Sequence, residues 1–317
     1  MSMPLMLLAL AAAVPGAVTS SDIAAPGPKG ELRGTLLHVE GSTQPTVLML
    51  PGSGPTDRDG NSSLGMKAST YRLLAEGLAQ HGIASVRIDK RGLLASAGAV
   101  EDGNAVTLQD YVQDTHAWIR ATRARTGATC VWLLGHSEGG LIALATVAGG
   151  GDEICGLILV ATAGRPLGQV LKQQLHDNPN NAALLPDADR AIDTLSAGQR
   201  VDASKLPPPL MALFRPETQG WFISEMAVDP ARLIGKLHLP VMIVQGEKDL
   251  QVSVEDAQRL KSALPSAQLD LLPDANHMLK SVTGEGRAAN FATYVDPNLP
   301  LAPHVVEGIA GFIASGR

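Results

Sequence analysis

Five short, predominantly apolar runs constrain this chain more than any other feature. They are Thr46–Leu50 (TVLML), Ile83–Ile88 (IASVRI), Cys130–Leu134 (CVWLL), Cys155–Val160 (CGLILV) and Pro240–Val244 (PVMIV). A strand with one wet face alternates polar and apolar residues, whereas a strand covered on both faces has no need to. Helix-length amphipathic segments separate the runs. Ser69–His81 has Ser69 as its expected N-cap and Gly82 as its stop, and Thr107–Arg125 opens on a TLQD capping pattern and ends in basic residues before Gly127. Strands and helices in this alternation give an α/β domain, a mostly parallel central sheet with helices on both faces. Leu32–Val39 and Ala267–Leu272 add strands, and Val254–Ala263 and Ala302–Ala314 add helices. Hydrophobic residues make up 45% of the 317, enough to fill the core of one large domain.

The rhythm breaks once. From Gly164 to about Leu237 no strand is evident, and short helices are expected at Pro166–His176, Asp187–Ser196 and Leu206–Phe214. So long an insertion in an α/β domain is expected to form a helical cap or lid over a site. The expected organisation is a core of residues 31–163 and 238–317 around a cap of residues 164–237, preceded by an unstructured, Pro/Gly-rich lead-in over 21–30.

The run from Thr129 to Val147, TCVWLLGHSEGGLIALATV, carries a Gly-x-Ser-x-Gly between an expected strand and an expected helix, which is the nucleophile-elbow signature. Gly135 and Gly139 remove Cβ atoms that would collide with the neighbouring strand and helix, so Ser137 is held in a sharp turn with its hydroxyl above the sheet. A serine hydroxyl needs a base, and the base an orienting carboxylate. Both should follow the serine in the chain, at the carboxyl ends of later strands. After PVMIV the choice lies between Glu247, whose longer side chain would overshoot, and Asp249, which is preferred. After Ala267–Leu272 comes His277. His136 is too close to Ser137 along the turn to serve it and is expected to pack beside it, while His304 is a weak rival at the start of the last helix. A tetrahedral oxyanion needs two backbone donors. The Glu138 amide at the helix start is one, and Ser53, flanked by Gly52 and Gly54 in the loop after TVLML, supplies the other.

Taken in order, PGSGPTDRDGN, DKRG, GHSEGG, GEKDLQVS and DANHMLK resemble the bacterial α/β-hydrolase-fold serine carboxylesterases with a Pro-Gly-Ser-Gly-Pro-Thr-Asp-Arg-Asp-Gly oxyanion loop. The resemblance runs from about Leu32 to the carboxyl terminus. It implies an α/β-hydrolase fold with Ser137 as nucleophile, Asp249 as acid, His277 as base, and Ser53 with Glu138 as oxyanion donors. The chain departs from the family in having little before Leu32, which puts the first sheet edge in question. The charged set Asp57, Arg58, Asp59, Lys90 and Arg91 is expected to be an ion-pair network holding the oxyanion loop rather than a reader of acidic substrates.

The expected reaction is hydrolysis of a small-molecule carboxylic ester through an acyl-enzyme. Leu210, Met211, Leu213 and Phe214 of the cap are expected to line an apolar acyl pocket. Peptide, amide or thioester cleavage is the enzymatic alternative, with Glu225 as one anchor for a peptide terminus, and a non-catalytic binding protein is the other class. A net charge of −6 argues against nucleic acid or an anionic membrane as partner. No His/Asp/Glu cluster has metal-ligand spacing, and no cofactor is expected. Met3–Val14 followed by small residues near Ala17–Ser20 reads as a signal peptide, hence a periplasmic or secreted protein, and is too short to span a membrane. Cys130 and Cys155 are expected as two buried thiols, a bond requiring neighbouring strands and an oxidising compartment.

Overall fold

The computed structural model describes residues 17–40, 45–151 and 153–316. The apolar run Met3–Val14 and most of the turn expected at Gly41–Pro45 lie outside them. Eight strands form one sheet: β1 (Val18–Pro26), β2 (Glu31–Val39), β3 (Thr46–Leu50), β4 (Ala84–Ile88), β5 (Val131–His136), β6 (Ile154–Val160), β7 (Val241–Gly246) and β8 (Gln268–Leu272). Their spatial order is β1-β2-β4-β3-β5-β6-β7-β8. From β4 onward the pairings are parallel, while β1 and β2 form an antiparallel edge.

Alternate residues of the apolar runs feed two cores. In β3, Leu48 and Leu50 face a layer that contains Trp118, Leu133 and Ile142. Val47 and Met49 face the other, with Leu74, Leu78 and Phe312. The helices on one face are α2 (Leu108–Thr126), α3 (Glu138–Ala148) and α9 (Val254–Ala263), and on the other α1 (Thr70–Gln80) and α11 (Val305–Ser315). The capping box of α2 is formed by Thr107 and Asp110, and Gly127 closes the helix at φ 74°.

Between β6 and β7 lie α4 (Leu167–His176), α5 (Leu185–Ser196), α6 (Pro208–Leu213), α7 (Gln219–Met226) and α8 (Pro230–Ile234). This insertion has its own apolar cluster around Ile192, Leu195, Leu210, Phe214 and Phe222. Two of the four side chains expected to line an acyl pocket are therefore consumed elsewhere: Leu210 and Phe214 fill the insertion's interior, Leu213 packs against it, and Met211 points to solvent. A short helix α10 (Gly286–Ala292) precedes α11.

Three further expectations are corrected. The lead-in over 21–30 is largely strand, because β1 pairs along its full length with β2, with Ile23 and Ala25 turned into the core. This also supplies the sheet edge that the sequence left in question, and the small-residue zone near Ala17–Ser20 opens that strand. Cys130 and Cys155 are bonded to each other rather than free, since β5 and β6 are neighbours and bring their Cα atoms to 5.3 Å. Ser69 does not cap α1 with its side chain. It sits in the left-handed region at φ 50°, where its N–H donates to the Asn61 Oδ1.

Candidate active site

The turn from β5 into α3 holds Ser137 at φ 56°, ψ −119°, a region that non-glycine residues avoid and that is maintained only when the surroundings impose it. The imposition is visible. A Cβ on Gly139 would lie 2.1 Å from the Leu50 carbonyl oxygen, and one on Gly135 would lie 2.2 Å from that of Gly139, so β3, β5 and the helix start close on one another at van der Waals limits. The Ser137 N–H donates to the Val160 carbonyl (2.9 Å), tying the turn to β6. Ser137 thus stands at the carboxyl end of the central strand, at the first turn of α3, whose leading amides have no intrahelical partner.

Two loops converge on this turn from the carboxyl ends of β7 and β8. His277 Nδ1 lies 2.7 Å from Asp249 Oδ2, and both side chains are almost completely buried. The other carboxylate oxygen of Asp249 accepts from the Gln251 (2.7 Å) and Val252 (3.0 Å) amides. Burial alone would raise the Asp249 pKa. The attraction and hydrogen bond of His277, together with those amides, overcome it and hold the carboxyl below its ordinary value. Glu247 is exposed and takes no part. The His277 loop is fixed by Asn276, whose Oδ1 accepts from the Met278 and Lys280 amides (3.1 Å each).

His136 packs as expected and does more. Its ring lies 4.8 Å from that of His277 between centroids, and its Nε2 is 2.8 Å from the His277 carbonyl oxygen. A carbonyl only accepts, so Nε2 carries the proton and Nδ1 accepts from the Tyr71 hydroxyl (2.9 Å). Burial, reinforced by His277, pulls the His136 pKa down to about 3, which keeps this ring neutral. Tyr71 in turn accepts from the Gly52 N–H (3.0 Å). A buried chain therefore runs from the loop after β3 to the backbone of His277 through His136, the residue next to Ser137.

The loop after β3 crosses the elbow closely: a Cβ on Gly52 would sit 3.3 Å from the Cβ of Ser137. The Gly52 carbonyl accepts from Lys90 Nζ (2.8 Å), and Gly54 turns the chain at φ 76°. Among the described residues nothing accepts from the Ser53 N–H. The charged set forms a network. Arg58 meets Asp89 (2.6 Å), Arg91 meets Asp114 (2.6 Å) and Asp110 (2.9 Å), Arg87 meets Asp59, and the Asp57 side chain caps the Asp59 and Asn61 amides (2.8 Å each).

Lys90 also pairs with Glu138 Oε2 (2.9 Å), and the other oxygen of Glu138 accepts from the Trp221 indole of α7 (2.7 Å). The insertion therefore rests on the first residue of α3 through a partly buried polar contact. Beside it Glu225 is 2% exposed, with Oε1 unpartnered among the described residues. Burial and the charge of Glu138 push its carboxyl well above the ordinary value, against the pull of Lys90. Lys90 holds the loop after β3, as expected of the charged set, through the Gly52 carbonyl and Glu138. Tyr71 and Trp221 carried no signature in the sequence, because each acts on a backbone atom or a residue remote in the chain.

The sheet order, the strained serine at the β5–α3 turn and the His–carboxylate pair at the ends of β7 and β8 define an α/β-hydrolase fold. Solved structures agree: an α/β hydrolase, GrgF from Penicillium sp. sh18, superposes with a TM-score of 0.60 over 94% of this chain and 99% of its own, at 18% identity. The model of the family described as serine aminopeptidase, S33, matches residues 62–281, and the chain belongs to that family. Among curated relatives, esterase EstD of Thermotoga maritima is 25% identical over 248 residues, which is 77% of this chain and 56% of that protein. Lipase 3 of Moraxella sp. (strain TA144) is 25% identical over 154 residues, 45% of this chain and 49% of its own length. The chain thus spans about half the length of these relatives.

Proposed function

We propose that this protein is a serine esterase that cleaves small carboxylic esters through an acyl-enzyme. The observation that carries the reading is the 2.7 Å contact between His277 Nδ1 and Asp249, beside an elbow that strains Ser137. With Nδ1 occupied by the carboxylate, Nε2 of His277 is the nitrogen left to take the Ser137 proton. The serine oxygen then bonds to the ester carbonyl carbon, and the Ser53 and Glu138 amides stabilise the oxyanion. Asp249 stabilises the imidazolium, which gives its proton to the departing alcohol as the C–O bond breaks. Water activated by the same histidine releases the acid in the second half. The EstD and lipase 3 relatives support ester over other acyl substrates.

The family description favours aminopeptidase activity as the second reading. Glu225, the carboxylate that could hold a substrate ammonium, is closed off from solvent, which counts against it. Residues 164–237 are proposed as the cap. Export to the periplasm or medium is proposed too, supported by the Cys130–Cys155 bond, which persists in oxidising compartments. Assaying p-nitrophenyl esters of graded chain length beside aminoacyl anilides tests the substrate class. Turnover of esters and not of anilides is expected, and the reverse would replace the esterase reading with the peptidase one.

A further inference from the structure

Gly52 is gripped at both of its polar atoms by buried side chains. Its N–H donates to the Tyr71 hydroxyl and its carbonyl accepts from the Lys90 ammonium. No peptide among the described residues is cis, and in a trans peptide the C=O and N–H point in opposite directions. The carbonyl aimed at Lys90 therefore turns the Ser53 N–H of the same peptide away from Lys90, on a backbone that passes against the Cβ of Ser137. The ammonium also draws electron density toward the Gly52 oxygen, which strengthens that N–H as a donor through the peptide bond. Both grips are anchored. Glu138 holds Lys90, and Tyr71 is held by His136, which stays neutral and is tied to the His277 carbonyl. Flanking glycines make the loop easy to bend, so its direction has to be set by something other than its own torsions.

We propose that Lys90 and Tyr71 are positioning residues that fix the Gly52–Ser53 peptide, so that its N–H meets the oxyanion as charge develops. The inference rests on the esterase reading above. Neither side chain touches substrate, and their effect is confined to the transition state. Ester kinetics, thermal unfolding and inhibition by a trifluoromethyl ketone, which forms a tetrahedral oxyanion on a serine, are measured for wild type, Lys90→Met and Tyr71→Phe. For Lys90→Met, kcat is expected to fall about 100-fold, the scale of losing one oxyanion donor, with KM within about 3-fold. Inhibitor affinity should fall in proportion to kcat. For Tyr71→Phe the same pattern is expected at about 10-fold. Because Lys90→Met strands the Glu138 carboxylate, Lys90→Met/Glu138→Gln is made alongside it and should lose kcat similarly. Glu138→Gln alone keeps the Lys90–Gly52 bond and should lose less than either. Folded Lys90→Met or Tyr71→Phe variants that keep kcat within about 3-fold of wild type, or that lose kcat without losing inhibitor affinity, overturn the inference. Failure of the esterase reading looks different: the wild type itself would then turn over no ester, or Ser137→Ala would remain active.

Discussion

In the proposed reaction the two sides of Ser137 solve different problems by different means. On the base side, functional atoms belong to side chains: one short contact joins His277 to Asp249, and two amides hold the carboxylate. On the proposed oxyanion side they belong to the main chain, and the side chains of Tyr71 and Lys90, which bond the Gly52 N–H and carbonyl, are proposed to aim it. Substitution on the first side should remove chemistry outright, whereas substitution on the second should leave it present but misdirected. At Gly52 the loop can come within van der Waals range of Ser137 because there is no side chain there, and its glycines leave it in need of outside support.

The largest expected effects separate the sides. Ser137→Ala or His277→Ala should lower kcat by about 10⁶-fold, the scale seen when members of such a unit are removed. Thermal unfolding should change little in Ser137→Ala, whereas His277→Ala also strands the buried Asp249 carboxylate and should unfold at lower temperature. Residual turnover near wild type in either variant would break the contrast at its base. Asp249→Asn keeps shape but loses the charge that fixes the imidazole tautomer, and about 10⁴-fold in kcat should go with it. Lys90→Met, at about 100-fold, falls well below both. If it matched Asp249→Asn, the two sides would not differ in kind.

Away from the site the expected effects are on stability. Replacing Cys130 and Cys155 together by Ala opens a link that spans 25 residues and should cost about 3 kcal/mol in denaturant unfolding, with kcat retained. Glu225→Gln should act in the opposite direction and least. The folded protein resists ionising this carboxyl while the unfolded chain does not, so wild-type stability should drop as pH rises past the ordinary value of 4.5. The amide removes that penalty. Melting curves should coincide near pH 4 and separate in the variant's favour toward pH 8, and a gap that widened toward acid would contradict the assignment.

How much of this was legible follows from where the information sits. Strands β3 to β7 were readable because burial on both faces leaves long apolar runs, and the β5–α3 turn because its geometry demands glycine at fixed spacing. Strand β1 was not, since VTSSDIAAP sends only Ile23 and Ala25 into the core and takes its order from β2. The helices α7 and α8 escaped notice in a proline-broken insertion that is shaped by its own cluster around Phe214 and Phe222. The bond between Cys130 and Cys155 depended on which strands became neighbours, a fact of topology rather than of either cysteine. Asp249 and His277 were named from strand ends and chain order. Lys90 was read as part of the ion-pair network holding the loop after β3, though its bond to the Gly52 carbonyl was not. Tyr71 and Trp221 were not singled out, because a residue that steadies a peptide plane or a buried carboxylate leaves no pattern of its own.

The most direct test is to trap the nucleophile. Wild type and His277→Ala are treated with a serine-directed fluorophosphonate, and the modified peptide and its rate of formation are read by mass spectrometry. A single adduct on Ser137, formed orders of magnitude more slowly in His277→Ala, is the predicted result. An adduct on another serine, or equal rates in the two proteins, would contradict the claim that His277 activates Ser137.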